Sequence, residues 1–154
     1  MPRANLARAL GLLPPFAANR LRTMSLRSMG LRLGGGTIFF GAPTLVGEPG
    51  FERLLKVGKN CGFNVGTFFE LYAEVTLEDD VSFGHHVMVL TRGPDGSRPV
   101  RVGRGAWLGA RCTLMPGVTV GEGAVVGAQM VIDADVPPNT LCLGRQRLSL
   151  AKWR

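Results

Sequence analysis

The sequence predicts an all-β fold, a parallel β-helix of stacked coils preceded by a short helical segment. Three observations predict it. In the stretch "LGARCTLMPGVTVGEGAVVGAQMVID" an aliphatic residue stands at every sixth position: Leu108, Leu114, Val120, Val126 and Ile132. A helix repeats near 3.6 and a strand near 2, so a period of six needs a unit that turns a corner, as hexad-repeat β-helices do. Around that position, Gly often follows (Gly58, Gly84, Gly103, Gly109, Gly121, Gly127), and a small or branched residue recurs four places on (Cys61, Val75, Val81, Val87, Ala106, Cys112, Val118, Ala124). Finally, 22 Gly and 10 Pro with 45% hydrophobic and 19% charged residues describe a turn-rich globular chain rather than a disordered one.

Taken in order, residues 1–32 form a basic segment with six Arg and no acid. Within it "PPFAANRLRTMSLRSMG" predicts a short helix with Phe16, Ala17, Leu21, Met24 and Met29 on one side and Asn19, Arg20, Arg22 and Arg27 on the other. Capping the open end of the stack is its expected role, and docking on anionic lipid is the alternative. "LRLGGGTIFFGAPTLVG" gives a cruder first layer. Hexads then run through Val57 and Phe63, slip by two residues to Leu71, and continue through Leu77, Phe83 and Val89; after an interruption at "GPDGSR" they resume at Val102, Leu108, Leu114, Val120, Val126 and Ile132. At three hexads per coil these twelve make about four coils beyond the first layer. The repeat occupies 33–137 with an inserted loop at 93–99. The tail, 138–154, is expected to pack along the stack or to reach a neighbouring chain. Each recurrent Gly is read as letting the backbone turn a corner.

A chain of 154 residues fits one domain with a buried core. Its apolar stretches are broken well before the roughly 18 residues of a membrane span, and "MPRANLARALGLLPPFAANR" reads as mature protein rather than as a secretory signal. Cys61, Cys112 and Cys142 are widely spaced with no Cys-x-x-Cys, which points to reduced thiols in the cytoplasm rather than a disulfide framework or thiolate metal site. The net charge of +7 is uneven: the start is basic, Glu48 to Asp80 is acidic on balance, and Arg145, Arg147, Lys152 and Arg154 close the chain. With one Tyr and two Trp, not interleaved with the Arg clusters, there is no stacking platform for nucleic acid. A small polyanionic ligand or an anionic membrane surface fits the charge at least as well.

The stretch "VGRGAWLGARCTLMPGVTVGEGAVVGAQMVIDADVPPNT", Val102 to Thr140, resembles the C-terminal signature of the hexapeptide-repeat acyltransferases, above all the maltose, galactoside and capsular-sugar O-acetyltransferases. "NVGTFFELYAEVTLEDDVSFGHHVMVLT" and "RTMSLRSMGLRLGGGTIFFG" carry the resemblance more weakly along the rest of the chain. It implies a left-handed β-helix that assembles as a homotrimer, with acetyl-CoA as co-substrate in grooves between adjacent stacks, a saccharide-like acceptor and no metal. Carried over by position, Trp107, Ala110 and Ala128 line the pantetheine path, with Gly109 and Gly127 allowing close backbone approach. The family's usual Thr-Lys pair is replaced here by Asp133 and Ala134. Its Gly-x-Pro-Ala-Arg ending is "GRQRL", so Arg145 or Arg147 would contact the CoA phosphate.

On the acceptor side the resemblance points to Asn64, in "GFNVG", and the loop adds Arg92. The family spacing from Asn64 places the general base at Pro94, which has no proton-accepting side chain. Acetyl transfer needs a base for the acceptor hydroxyl and a donor for the oxyanion, so His85, His86 and Asp95 are the catalytic candidates. If the two His lie on a strand they point to opposite sides, and at most one faces the cleft. Paired His at this turn is also compatible with an incidental role. Two readings stay open: a cytoplasmic O-acetyltransferase, with or without a peripheral contact to the inner membrane face through the N-terminal segment, and a catalytically silent β-helix that binds a ligand or partner. A metal-dependent hydrolase of the carbonic anhydrase type needs three His ligands from two chains, which two adjacent His do not supply.

Overall fold

The computed structural model describes Pro14, residues 16–144 and residues 146–150. A helix, α1 (Asn19–Ser28), leads into five coils. The coils run β1 (Arg32–Leu33), β2 (Ile38–Phe39), β3 (Thr44–Gly47); β4 (Leu55–Val57), β5 (Gly62–Phe63), β6 (Phe68–Leu71); β7 (Val75–Leu77), β8 (Ser82–Phe83), β9 (Met88–Val89). After a hairpin of β10 (Arg92–Gly93) and β11 (Gly96–Ser97) come β12 (Val100–Val102), β13 (Trp107–Leu108), β14 (Thr113–Leu114), and then β15 (Thr119–Val120), β16 (Val125–Val126), β17 (Val131–Ile132). Equivalent strands of successive coils pair in parallel, in the order β1-β4-β7-β12-β15 for sheet I and β3-β6-β9-β14-β17 for sheet III. Sheet II runs β2-β5-β8-β13-β16 and is extended by β18 (Thr140–Leu143), parallel to β16, and β19 (Gln146–Ser149), antiparallel to β18. The start of the tail therefore continues the stack.

Each six-residue unit is a short strand and a four-residue corner. It sends two side chains inward, the hexad residue and the residue two before it. Val57, Phe63, Leu77, Phe83, Val89 and Val102 to Ile132 of the repeat are all buried, and so are Cys61, Val81, Val87, Val100, Ala106, Cys112, Val118 and Ala124 between them. The register corrects one detail of the pattern. Phe69, six after Phe63, pairs with Val89 and is fully buried. The two-residue slip therefore follows Phe69, where β6 runs on to Leu71 before the chain turns.

The recurrent glycines do a different job from the one their spacing indicated. Positive φ falls three residues after the hexad position, at Asn60, Asp80, His86, Arg111 and Gln129 (φ 55–62°), as well as at glycines such as Gly66. The glycines immediately after the hexad position have ordinary φ and are constrained by the neighbouring coil: a Cβ on Gly103 would lie 2.6 Å from the Glu122 backbone nitrogen. They permit strand-like spacing where the corners stack; the turn itself is made two residues later.

The core is graded along the axis. On the inner face of sheet II, Phe39 stacks on Phe63 at 4.5 Å and Phe63 meets Phe83 edge-on at 5.0 Å, with Phe69 of sheet III 6.0 Å from Phe63. Beyond Phe83 the same ladder narrows to Leu108, Val126 and Cys142. Burial raises the thiol pKa of all three cysteines, which disfavours the reactive thiolate.

The helix closes the first coil with a face only partly the expected one: Met29 packs against the core and Arg20 and Arg27 stay exposed, as expected, but most of the apolar side turns outward. Arg22, Thr23, Ser25 and Leu26 are buried, whereas Phe16, Leu21 and Met24 are exposed. The reason is hydrogen bonding: Arg22 Nη1 donates to the Phe39 carbonyl (3.2 Å) and Nη2 to that of Pro14 (3.4 Å), so the arginine, not the apolar stripe, ties the helix to the stack. No helix among the described residues is long and apolar enough to cross a membrane.

Phe63 touches aromatic rings from three strands and sits in a core that cannot collapse without bending the ladder. Phe63→Ala should therefore cost about 3–5 kcal/mol, measured by chemical denaturation. Gly103→Ala should also lower stability although its φ suits any residue; an unchanged denaturation midpoint would refute the close-approach account.

Candidate functional site

The three sheets meet at three edges, and the II–III edge gathers most of the residues singled out in the sequence. From coil to coil it carries Asn64-Val65-Gly66, Gly84-His85-His86, Gly109-Ala110-Arg111 and Gly127-Ala128-Gln129. The corners are laced by backbone bonds: His86 N donates to Val65 O (2.9 Å), Arg111 N to His85 O (2.7 Å) and Gln129 N to Ala110 O (2.8 Å). Small residues are required for this stacking. A Cβ on Gly84 would lie 2.6 Å from the Ala110 nitrogen, and one on Gly109 would lie 2.6 Å from that of Ala128. What remains is an edge of nearly bare backbone, with Ala110 half-buried and Ala128 exposed.

His85 and His86 lie in the turn between β8 and β9 rather than on a strand, so strand alternation does not separate them, and both are exposed. His86 takes the left-handed corner position, φ 56°. Its ring lies over Gly66 of the preceding coil, close enough that a Cβ there would collide with Nδ1 and Cε1. The ring thus leans toward the corner that carries Asn64. Asn64 is half-buried, and its Oδ1 accepts from the Val65 N–H (3.0 Å). Trp107 stands on the outer face of sheet II, 52% exposed, two residues before Gly109. Arg147 is on β19 opposite Cys142, at the end of sheet II beyond Ala128, with Nη1 donating to the Gly144 and Gln146 carbonyls. Arg145 lies outside the described residues.

Arg92, Pro94 and Asp95 are elsewhere. They belong to the β10–β11 hairpin, which leaves the stack at the III–I edge, so a single chain does not bring them to the histidines. The base of that hairpin holds residues that motif reading missed. The Glu70 carboxylate accepts from the N–H groups of Thr91 (3.2 Å) and Arg92 (3.0 Å). Thr91 Oγ1 donates to Glu70 O (2.8 Å) and accepts from Tyr72 N (3.0 Å). The Arg92 guanidinium lies 4.8 Å from the Tyr72 ring centroid, a cation–π contact, above a cleft of about 550 Å³ lined also by Glu48, Phe51, Arg53 and Ser97. The signal in the sequence was the slip after Phe69, where "ELY" overruns the hexad. Among the described residues no group of three or more His, Cys, Asp or Glu is placed to hold a metal ion.

Comparison with known proteins shows likeness in the repeat and in the fold. Residues 99–134 match the family model described as the hexapeptide repeat of succinyl-transferase. A putative acetyltransferase of Schizosaccharomyces pombe is 31% identical over 113 residues, 66% of this chain and 54% of the relative. The galactoside O-acetyltransferase of Escherichia coli is 31% identical over 103 residues, 58% of this chain and 50% of the relative. The chain thus spans about half the length of the curated relatives it matches. In fold it is similar to a hexapeptide-repeat acetyltransferase of Vibrio cholerae solved with acetyl coenzyme A, with TM-score 0.76, 20% identity, and coverage of 90% of this chain and 78% of that one. By its six-residue period and its three-sided parallel β-helix the chain carries a hexapeptide repeat, matched by the family model over residues 99–134, and it is similar to the acetyltransferases named above.

Proposed function

We propose that the protein is an acetyl-CoA-dependent O-acetyltransferase acting on a saccharide-like hydroxyl, and that it works as a homotrimer. The observation that carries the proposal is the II–III edge, where Asn64, His86, Gly109, Ala110, Gly127 and Ala128 follow one another on stacked corners. The character of the outer faces supports the assembly. Sheet I is polar outside, with Arg32, Lys56, Thr76, Arg101 and Thr119, whereas sheets II and III expose Ile38, Trp107 and Leu143, and Val46, Met88 and Val131. Apolar surface on both sides of one edge is a signature of association. In a closed three-fold ring this edge of one copy meets a different edge of the next. The III–I edge, with Arg92, Asp95 and the cleft beside Tyr72, is its natural counterpart and would complete the acceptor pocket.

When bound, acetyl-CoA supplies an activated acyl group. The bare backbone at Gly109, Ala110, Gly127 and Ala128 suits a narrow pantetheine arm, Trp107 offers an apolar wall, and Arg147 offers a charge for the phosphate. We assign the general base to His86. Nδ1 is the ring nitrogen set against Gly66, so Nε2 is the one we assign to accept the proton of the acceptor hydroxyl. Asn64, on the adjoining corner, orients the acceptor. Pro94, at the position where the family carries its base, favours the alternative of a silent binding protein, and the experiments below separate the two.

Light scattering should give a trimer, and Val131→Glu or Met88→Glu should dissociate it; a stable monomer of the unmodified protein at micromolar concentration would remove the shared groove. Calorimetry should detect CoA binding that Ala128→Glu abolishes while the trimer persists. No CoA binding by the unmodified chain would leave the silent reading in its place. His86→Ala should slow acetyl transfer by about 10²- to 10⁴-fold, with His85→Ala close to unmodified. Equal, full activity in both variants would exclude a histidine base and leave Asp95 or positioning alone.

A further inference from the structure

We propose that the cavity beneath α1 is a binding site for an aliphatic monocarboxylate, with Arg22 as the group that holds its charge. The proposal stands apart from acyl transfer and rests on a buried cation that has no counter-charge among the described residues. Arg22 is only 2% exposed. Its Nη1 donates to Asn19 Oδ1 (3.0 Å) and Phe39 O (3.2 Å), and Nη2 to Pro14 O (3.4 Å), all neutral acceptors. The one ion pair among the described residues joins Lys56 to Glu74 and does not involve Arg22. Residues 1–32 contain no acid, so the basic N-terminal segment brings no carboxylate side chain of its own. Arg22 Nε is buried and has no hydrogen-bond partner among the described residues. A charged donor held out of water without a partner is costly, and a ligand that supplies the missing acceptor binds by removing that cost.

A cavity of about 200 Å³ lies beside this side chain, between the helix and the first coil. Arg22 and Ser25 are its polar lining; Leu26, Met29, Leu45 and Phe51 are apolar. The space suits a short hydrocarbon chain rather than one or two waters, which in any case need several polar partners. The lining also selects the charge. Two of the five guanidinium N–H groups, that of Nε and the second on Nη2, have no partner among the described residues, and no lysine or second arginine lines the cavity, so a phosphate dianion would stay largely unpaired, whereas a carboxylate can accept from this pair side by side and lay its tail on the apolar wall.

Calorimetry on the full-length protein with hexanoate, hexan-1-ol and inorganic phosphate tests the assignment. Hexanoate should bind at one site per chain, hexan-1-ol at least 10-fold more weakly, and phosphate not at all. Arg22→Met should weaken hexanoate by about 10- to 100-fold, the range for a hydrogen bond to a charged group. Ala42 lines the cavity and is exposed, so Ala42→Phe blocks it without disturbing the core and should abolish binding with the guanidinium intact. Should Arg22→Met fail to fold, the alcohol comparison and Ala42→Phe decide the matter. No hexanoate binding at millimolar concentration, equal affinity for the alcohol, preference for phosphate, or affinity unchanged in Ala42→Phe would each overturn the proposal.

Discussion

Everything in this molecule depends on stacking corners at the spacing of strands. Neighbouring strands lie about 4.8 Å apart, and in a prism of three sheets the corners must rise by the same step. Where the corner of the next coil approaches closely, the residue after the hexad position has no room for a side chain: on Gly58 a Cβ would fall 2.6 Å from the Asp79 nitrogen, and on Gly121 2.3 Å from that of Pro138; elsewhere, as at Asn64, the same position carries one. The left-handed residue two places on faces outward and is free to be Asn60, Asp80, His86, Arg111 or Gln129. One constraint thus empties one corner position at most turns and leaves another open to larger side chains.

This division explains what could be read from the sequence. The inward positions were legible because a fully buried residue in a narrow prism has few choices of size, and Leu108, Leu114, Val120, Val126 and Ile132 show the period without interruption. The helix was legible as a helix but only partly in its orientation. Arg22 is buried because open carbonyls at the end of the stack need donors, and a hydrophobic stripe gives no sign of that demand. Glu70, Thr91 and Tyr72 were silent for a related reason, since their work is local hydrogen bonding at the root of a hairpin, where no periodicity exists.

The candidate site was legible in part, and unevenly. Asn64, Gly109, Ala110, Gly127 and Ala128 were reached through resemblance, His85 and His86 through the reaction's need for a base, and the coil register then put them on one edge. Their glycines carry little functional information by themselves, because Gly84 and Gly109 are fully accounted for by the backbone of the coil that follows. Ala128 differs. It carries a side chain where the preceding residue cannot, and it is exposed, which makes it the more informative residue of the two corner types.

The three edges also differ in how much they interrupt the stack. Corners on the I–II and II–III edges keep four residues between strands throughout the five coils, as at 58–61 and 84–87. The departures fall on the III–I edge: the turn around Phe51–Arg53, the overrun at Leu71 to Ala73, and the β10–β11 hairpin. Insertions confined to one edge leave the other two smooth enough to lie against a neighbour. In the proposed trimer the irregular edge of each copy meets a smooth one, so the groove between them is shaped by a hairpin on one side and by bare corners on the other. A site built this way can change its acceptor by altering the hairpin while the corners, bound by the stacking step, stay the same; the proline in the hairpin is then a change on the variable side of the groove, opposite the corner that carries His86.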